Sequence, residues 1–335
     1  MQATFYGFAG ERLTEDERAF FRDSNPAGYI VFRRNISSPD QLRALTSELR
    51  AIHGRDDLPV LIDQEGGRVA RMRPPHWPEF PSAGRFAALY RQAPMTAIEA
   101  ARANAQAIAG MLREVGVNVD CLPVLDVAQE GAHEIIGDRG FGSEPMQVAA
   151  LGRAVLEGLA AGGIVGVVKH MPGHGRALSD SHLELPVVDA TEEELAIDLA
   201  PFRTLRNAPM GMTSHVLYTA WDAERPASQS PVVIGDVIRQ RIGFDNFLMS
   251  DDLGMEALSG GPGERARLVV EAGCDAGLHC SGVFAEMVEV AAAVPAMSEE
   301  SRTRLDRAMA TIAAAPDSPS YAELADKRDR LLASA

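Results

Sequence analysis

Fourteen residues, Lys169 to His182, hold a lysine, three histidines and an aspartate together with Pro172, Gly173 and Gly175. The run Lys169-His170-Met171-Pro172-Gly173-His174-Gly175 is followed shortly by Asp180-Ser181-His182. Helices and regular strands rarely accept that mixture, so the segment reads as a loop, and loops on rigid scaffolds tend to carry catalytic groups. In extended chain, residues i and i+2 project to one side. Asp180 can then hold one imidazole nitrogen of His182 and leave the other facing outward. A neighbouring carboxylate favours the imidazolium and raises a histidine toward working pH. The pair is a usable general acid and base. The competing account is a capping aspartate beside an incidental histidine.

Other segments offer partners. Lys169 and His170 close the apolar run Gly163-Ile164-Val165-Gly166-Val167-Val168, and at a strand end both can reach a pocket. Asp63 ends Leu61-Ile62 and precedes Gly66-Gly67, a place suited to accepting hydrogen bonds from ligand hydroxyls. Pairing with Arg68 would make it merely structural. Arg139, in Ile136-Gly137-Asp138-Arg139-Gly140, has a planar guanidinium suited to bidentate recognition. Otherwise it belongs to a surface loop with Asp138. Asp251 and Asp252 follow Phe247-Leu248-Met249-Ser250. One could be a nucleophile and the other a helix cap, and spacing does not say which. His170, His174 and His182 could bind zinc only if their segment were helical, and Pro172, Gly173 and Gly175 argue against that. No metal or other cofactor is expected.

These groups need a scaffold that brings strand ends together. Candidate strands are 4–8, 29–32, 59–62, 117–119, 164–168, 211–213, 247–249 and 276–278. Helical patterns lie between them. Ser38-Pro39 places a cap before a proline at the first helical position, and Leu42, Leu45, Leu49 and Ile52 line one face. Thr96 with Glu99, and Thr191 with Glu194, read as capping boxes. Strand–helix units without a linker predict an α/β fold, a single (β/α)8 TIM-like barrel over residues 1–335 with terminal helices from about residue 298. An open doubly wound sheet is the structural alternative. In such a barrel, loops at the C-terminal strand ends form the active site.

The bulk numbers narrow the partners. A net charge of −15 argues against nucleic acid and anionic membrane, both of which need clustered Lys and Arg. Residues 1–7 show neither a basic leader nor a long apolar stretch, so no signal peptide is expected. Three cysteines without a Cys-x-x-Cys motif read as buried free thiols and fit the cytoplasm. Oligomeric state is not legible.

Together these residues resemble glycoside hydrolase family 3, in particular its single-domain bacterial β-N-acetylglucosaminidases. The resemblance runs from Gly28-Tyr29-Ile30-Val31-Phe32 to Glu271-Ala272-Gly273-Cys274-Asp275. Its specific parts are Asp63-Gln64-Glu65-Gly66-Gly67-Arg68-Val69, the Lys169–Gly175 run with Asp180-Ser181-His182, and Ser250-Asp251-Asp252-Leu253-Gly254-Met255. The Asp-x-His on the loop marks the N-acetylglucosaminidase branch. The resemblance implies retaining hydrolysis of β-linked N-acetylglucosamine from N-acetylglucosamine–anhydro-N-acetylmuramic acid fragments of recycled cell wall, with or without peptide. It implies Asp251 as nucleophile, His182 as acid/base and Asp180 as its orienter. Asp63, Arg71, Arg139, Lys169 and His170 become sugar-binding residues. Met171 stands where the family usually has Phe, Gly254 where it often has Ser, and Gly277-Leu278-His279-Cys280-Ser281 is less typical. Rival readings are a phosphorylase using the same dyad, a metal-dependent barrel hydrolase, and a non-catalytic amino-sugar-binding regulator.

Overall fold

A computed structural model of the chain describes residues 1–129, 131, 133, 135–312 and 319–333. Eight parallel strands close into a barrel. They are β1 (Gln2–Tyr6), β2 (Pro26–Val31), β3 (Val60–Ile62), β4 (Val119–Asp120), β5 (Val165–Met171), β6 (Met210–Thr213), β7 (Phe247–Asp252) and β8 (Ala276–His279). Each strand pairs with its sequence neighbours, and β1 pairs with β8 to close the ring. All seven residues of β5 and all six of β2 are buried. That is expected of parallel strands covered on both faces, which read as continuous apolar runs rather than alternating ones. The doubly wound alternative is excluded by the β1–β8 register, Thr4 with Gly277 to Tyr6 with His279.

The expected strands are present with shifted ends. The first runs over Gln2–Tyr6 rather than 4–8, and the fourth is only Val119–Asp120. The fifth extends through Lys169 and His170 to Met171, and the seventh includes Asp251 and Asp252. The chemistry-bearing residues thus sit on the last residues of the staves.

Helices α1 (Glu15–Ser24), α2 (Pro39–His53), α3 (Ala83–Tyr90), α4 (Pro94–Glu114), α5 (Pro145–Ala161), α6 (Glu192–Thr204), α7 (Pro262–Ala272), α8 (Phe284–Ala293), α9 (Glu299–Ala310) and α10 (Tyr321–Leu332) accompany the strands. Ser38 caps α2 by accepting from the Gln41 N–H, and Leu42, Leu45 and Leu49 are buried. Thr191 and Glu194 form a reciprocal capping box on α6. The box expected at Thr96 and Glu99 does not form. Pro94 takes the first helical position of α4, so both residues lie inside the helix. Glu99 is instead drawn to Arg102 and to Lys327 of α10. No helix among the described residues is long and apolar enough to cross a membrane.

Candidate active site

A cavity of about 280 Å³ opens among the C-terminal strand ends. Asp63, Arg71, Arg139, Lys169, His170, His182 and Asp251 all line it. Asp180 does not line it and stands behind His182. The expected site residues therefore converge.

The inner wall begins at the hairpin after β3. Gly66 and Gly67 turn the chain at φ 92° and 56°, a left-handed region that favours glycine. A Cβ on Gly66 would lie 2.4 Å from the Pro81 carbonyl oxygen. The buried Gln64 side chain closes the hairpin by accepting from the N–H groups of Arg71 and Met72 and donating to the Met72 carbonyl. Arg71 is thereby returned to Asp63, with Nη2 2.9 Å from Oδ2. Arg68, the partner expected for Asp63 on structural grounds, pairs instead with Asp138.

Lys169 Nζ lies 3.0 Å from Asp63 Oδ1 and 2.7 Å from Glu65 Oε1. Arg139 grips Glu65 with two parallel bonds of 2.9 Å. The result is a chain of alternating charge, Arg71, Asp63, Lys169, Glu65, Arg139, with Lys169 and Glu65 buried at its centre. Burial alone would push both carboxyls up. Lys169 and Arg71 more than offset it at Asp63, which is held well below the usual carboxylate range. Lys169 and Arg139 bring Glu65 to about 2. Burial would lower Lys169, but Glu65 and Asp63 hold it above its ordinary value. Opposite charges at these distances keep every member ionised.

The peptide between Lys169 and His170 is cis, and both side chains face the cavity. His170 Nδ1 lies 2.7 Å from Asp126 Oδ2. A carboxylate only accepts, so that nitrogen carries the proton. Asp126 Oδ1 also accepts from the backbone N–H groups of His170 and His174, at 3.2 and 2.7 Å. Burial raises Asp126, but His170 and His174 bring it to about 2. The loop then passes so close to the chain after β4 that a Cβ on Gly175 would lie 1.9 Å from the Val127 carbonyl oxygen. The glycines of this run are needed for contact, beyond merely ending a strand.

At the rim, Asp180 Oδ1 accepts from His182 Nδ1 at 2.8 Å and from the His182 backbone N–H at 2.9 Å. Burial pulls Asp180 up, and the two bonds from His182 together with its charge more than offset this and bring it below its ordinary value. The His182 side chain is 61% exposed, which leaves its Nε2 face accessible.

Asp251 and Asp252 are now distinguishable. Asp252 Oδ1 accepts from the N–H groups of Gly254 and Cys280, as a cap does. Asp251 accepts from the Asp252 N–H at 2.8 Å. Burial raises Asp251, but His170 and His215, with that N–H and Lys169, hold it below the ordinary value. His215 is fully buried, donating from Nε2 to the Asp252 carbonyl at 3.0 Å, with Ser228 Oγ on Nδ1 at 2.7 Å.

Glu65, Asp126 and His215 were not singled out from sequence. For Asp126 a signal was available, since it follows the short apolar stretch Leu122-Pro123-Val124-Leu125 just as Asp63 follows Leu61-Ile62. The departures from the family pattern are accommodated. Met171 is fully buried against Gly211. A Cβ on Gly254 would press on the Asp252 carboxylate at 3.3 Å. Leu278 and Cys280 line the cavity. All three cysteines are free and buried. Among the described residues, no three His, Cys, Asp or Glu side chains converge as a metal-binding set.

Known proteins resemble this chain along most of its length. Residues 3–315 match the family model "Glycosyl hydrolase family 3 N terminal domain". A beta-hexosaminidase of Alkalilimnicola ehrlichii is 41% identical over 280 residues, covering 82% of this chain and 79% of its own length. One from Methylococcus capsulatus is 41% identical over 281 residues, covering 82% of each. The structure of NagZ from Neisseria gonorrhoeae in complex with N-trifluoroacetyl-D-glucosamine superposes with a TM-score of 0.87 at 32% identity, over 100% of this chain and 98% of that one. A family 3 β-N-acetylglucosaminidase from Paenibacillus gives 0.85 at 32% identity, over 98% of this chain and 66% of that one. The chain belongs to glycoside hydrolase family 3 and is a glycoside hydrolase of its β-N-acetylhexosaminidase branch.

Proposed function

We propose that this hydrolase removes terminal β-1,4-linked N-acetylglucosamine from peptidoglycan fragments, N-acetylglucosamine–anhydro-N-acetylmuramic acid with or without peptide, with retention at the anomeric carbon. The observation that carries the reading is the shared cavity. An ionised carboxylate, Asp251, and an imidazole steered by Asp180 both line it. Its volume of about 280 Å³ is at the low end of ligand pockets, roughly 300–1,000 Å³. That size suits one sugar ring, as an exo-acting enzyme needs.

In this reading the charged chain from Arg71 to Arg139 takes the sugar hydroxyls, with His170 beside it. Asp251 attacks the anomeric carbon as its bond to the leaving oxygen breaks, and a glycosyl-enzyme forms. His182, protonated, delivers the proton from Nε2 to that oxygen. Neutral His182 then takes a proton from water as the water oxygen bonds to the anomeric carbon and Asp251 leaves. Retaining enzymes usually place a second carboxylate in the acid/base role; here the Asp180–His182 pair fills it. Asp252 is tied to two backbone N–H groups, which favours Asp251 as the nucleophile. Buried free thiols accord with a reducing compartment such as the cytoplasm.

The test is turnover of an aryl β-N-acetylglucosaminide beside the matching β-glucoside, with the product anomer followed by NMR in phosphate buffer. Preference for the N-acetyl sugar and initial release of the β-anomer are expected. An initial α-anomer contradicts retention, and sugar-1-phosphate as the main product replaces hydrolysis by phosphorolysis.

A further inference from the structure

We infer that Ser181, between the two members of the acid/base pair, is a positioning residue that fixes where His182 stands relative to Asp251. The inference rests on the proposed role of His182.

Asp180 and His182 orient each other, but neither is seen to hold the pair over the cavity. Both hydrogen bonds from His182 to Asp180 lie within the tripeptide. Among the described residues, the Asp180 carbonyl accepts only from Leu183 and Glu184, which follow it in the same turn. Ser181 is different. It is 2% exposed, whereas the His182 side chain is 61% exposed. Its Oγ lies 3.2 Å from His174 Nε2. Its carbonyl accepts from the Ala257 N–H at 3.2 Å. Among the described residues, these are the two hydrogen bonds that tie the 178–185 segment to the rest of the protein.

Both anchors lead back to the reacting groups. Ala257 lies in the turn that follows Asp251 and Asp252, so the Ser181 carbonyl is fastened to the segment presenting the nucleophile. His174 is 3% exposed, and its backbone N–H is held by Asp126, the same carboxylate that fixes His170. Burial lowers His174 to about 4. It is therefore neutral at working pH, and a single proton, from its Nε2 or from the Ser181 hydroxyl, bridges the contact. Ser181 thus ties the imidazole on the rim to the strand ends that carry the sugar-binding wall and the nucleophile. A buried hydroxyl with a fixed partner holds position in a way that an exposed loop residue does not.

The effect is confined to proton transfer. Ser181→Ala keeps the sugar wall and Asp251 but frees His182 to stand away from the leaving oxygen. Its expected signature is a loss of kcat of about ten- to a hundredfold on glycosides with poor leaving groups, part of the roughly 10²–10⁴-fold that acid–base assistance supplies. Activated aryl glycosides, which need little protonation, lose less than about threefold, and their turnover reports that the variant is folded. In a His182→Ala background, adding Ser181→Ala costs nothing further. His174→Gln, which keeps a nitrogen near the Nε2 position, retains most activity, whereas His174→Ala behaves like Ser181→Ala. Equal losses on both substrate classes, or a further loss in the His182→Ala background, overturn the inference and leave the role of His182 standing. A His182→Ala enzyme whose losses do not depend on the leaving group removes both.

Discussion

The cavity has two walls built on opposite plans. The inner wall is made of strand ends. Lys169 is 2% exposed and Glu65 4%, and each charge meets an opposite one within 3.0 Å. The rim is a loop with His182 61% exposed, and among the described residues the hydrogen bonds of its 178–185 segment to the rest of the protein pass through Ser181. The inner wall is bound up with folding, since a buried charge is tolerable only with its partners. The rim contributes little to folding and can be altered without disturbing the barrel. In the proposed mechanism, substrate shape is read by the rigid part and the proton is handled by the part that meets solvent.

That contrast separates loss of rate from loss of stability. Asp251→Ala is expected to lower turnover by more than about 10⁴-fold on every substrate, beyond the usual range of acid–base assistance. Steady-state rates on poor and activated leaving groups check this, and near-normal turnover would remove Asp251 from the chemistry. His182→Ala is expected to lose roughly 10²–10⁴-fold on poor leaving groups and far less on activated ones. Its stability should match the parent in urea titration. Lys169→Met should show the reverse emphasis. It removes the cation shared by Asp63 and Glu65 and leaves them only Arg71 and Arg139; breaking a buried pair costs about 3–5 kcal/mol, read from the urea midpoint. If it unfolds no more easily than His182→Ala, the two walls do not differ as described.

Acid should act on the inner wall and its supports first. His174 titrates at about 4 in the folded protein, against about 6.5 when unfolded. The unfolded chain takes up that proton first, so stability falls as pH drops through that window. Asp126 and Glu65, both at about 2, have unfolded values of about 3.9 and 4.3. Their contribution is present above those values and is lost as pH falls toward 2. Urea midpoints measured from pH 7 downward should decline in two stages. His53, also lowered to about 4 by burial, shares the upper stage; His174→Gln should shrink that stage, and a variant curve identical to the parent's between 6.5 and 4 contradicts the burial argument at His174.

The barrel was legible because its strands are short continuous apolar runs, and a chain buried on both faces announces itself that way. The rim pair was legible because Asp180 and His182 interact at the shortest useful spacing. Contacts between distant segments were not. Glu65 meets Arg139 across 74 positions and His170 meets Asp126 across 44, and no local pattern encodes either pair. The choice between Asp251 and Asp252 depends in part on Cys280, which lies just past the end of the next strand. The misplaced cap at Thr96 has a local cause, a proline two residues earlier that outranks it.

Covalent trapping tests the central claim most directly. The enzyme would be incubated with a slow fluorinated N-acetylglucosaminyl fluoride, digested with a protease and sequenced by mass spectrometry. The account predicts one sugar adduct, on the side chain of Asp251. An adduct on Asp252 or elsewhere, or steady turnover of the reagent with no adduct at any time, would contradict it.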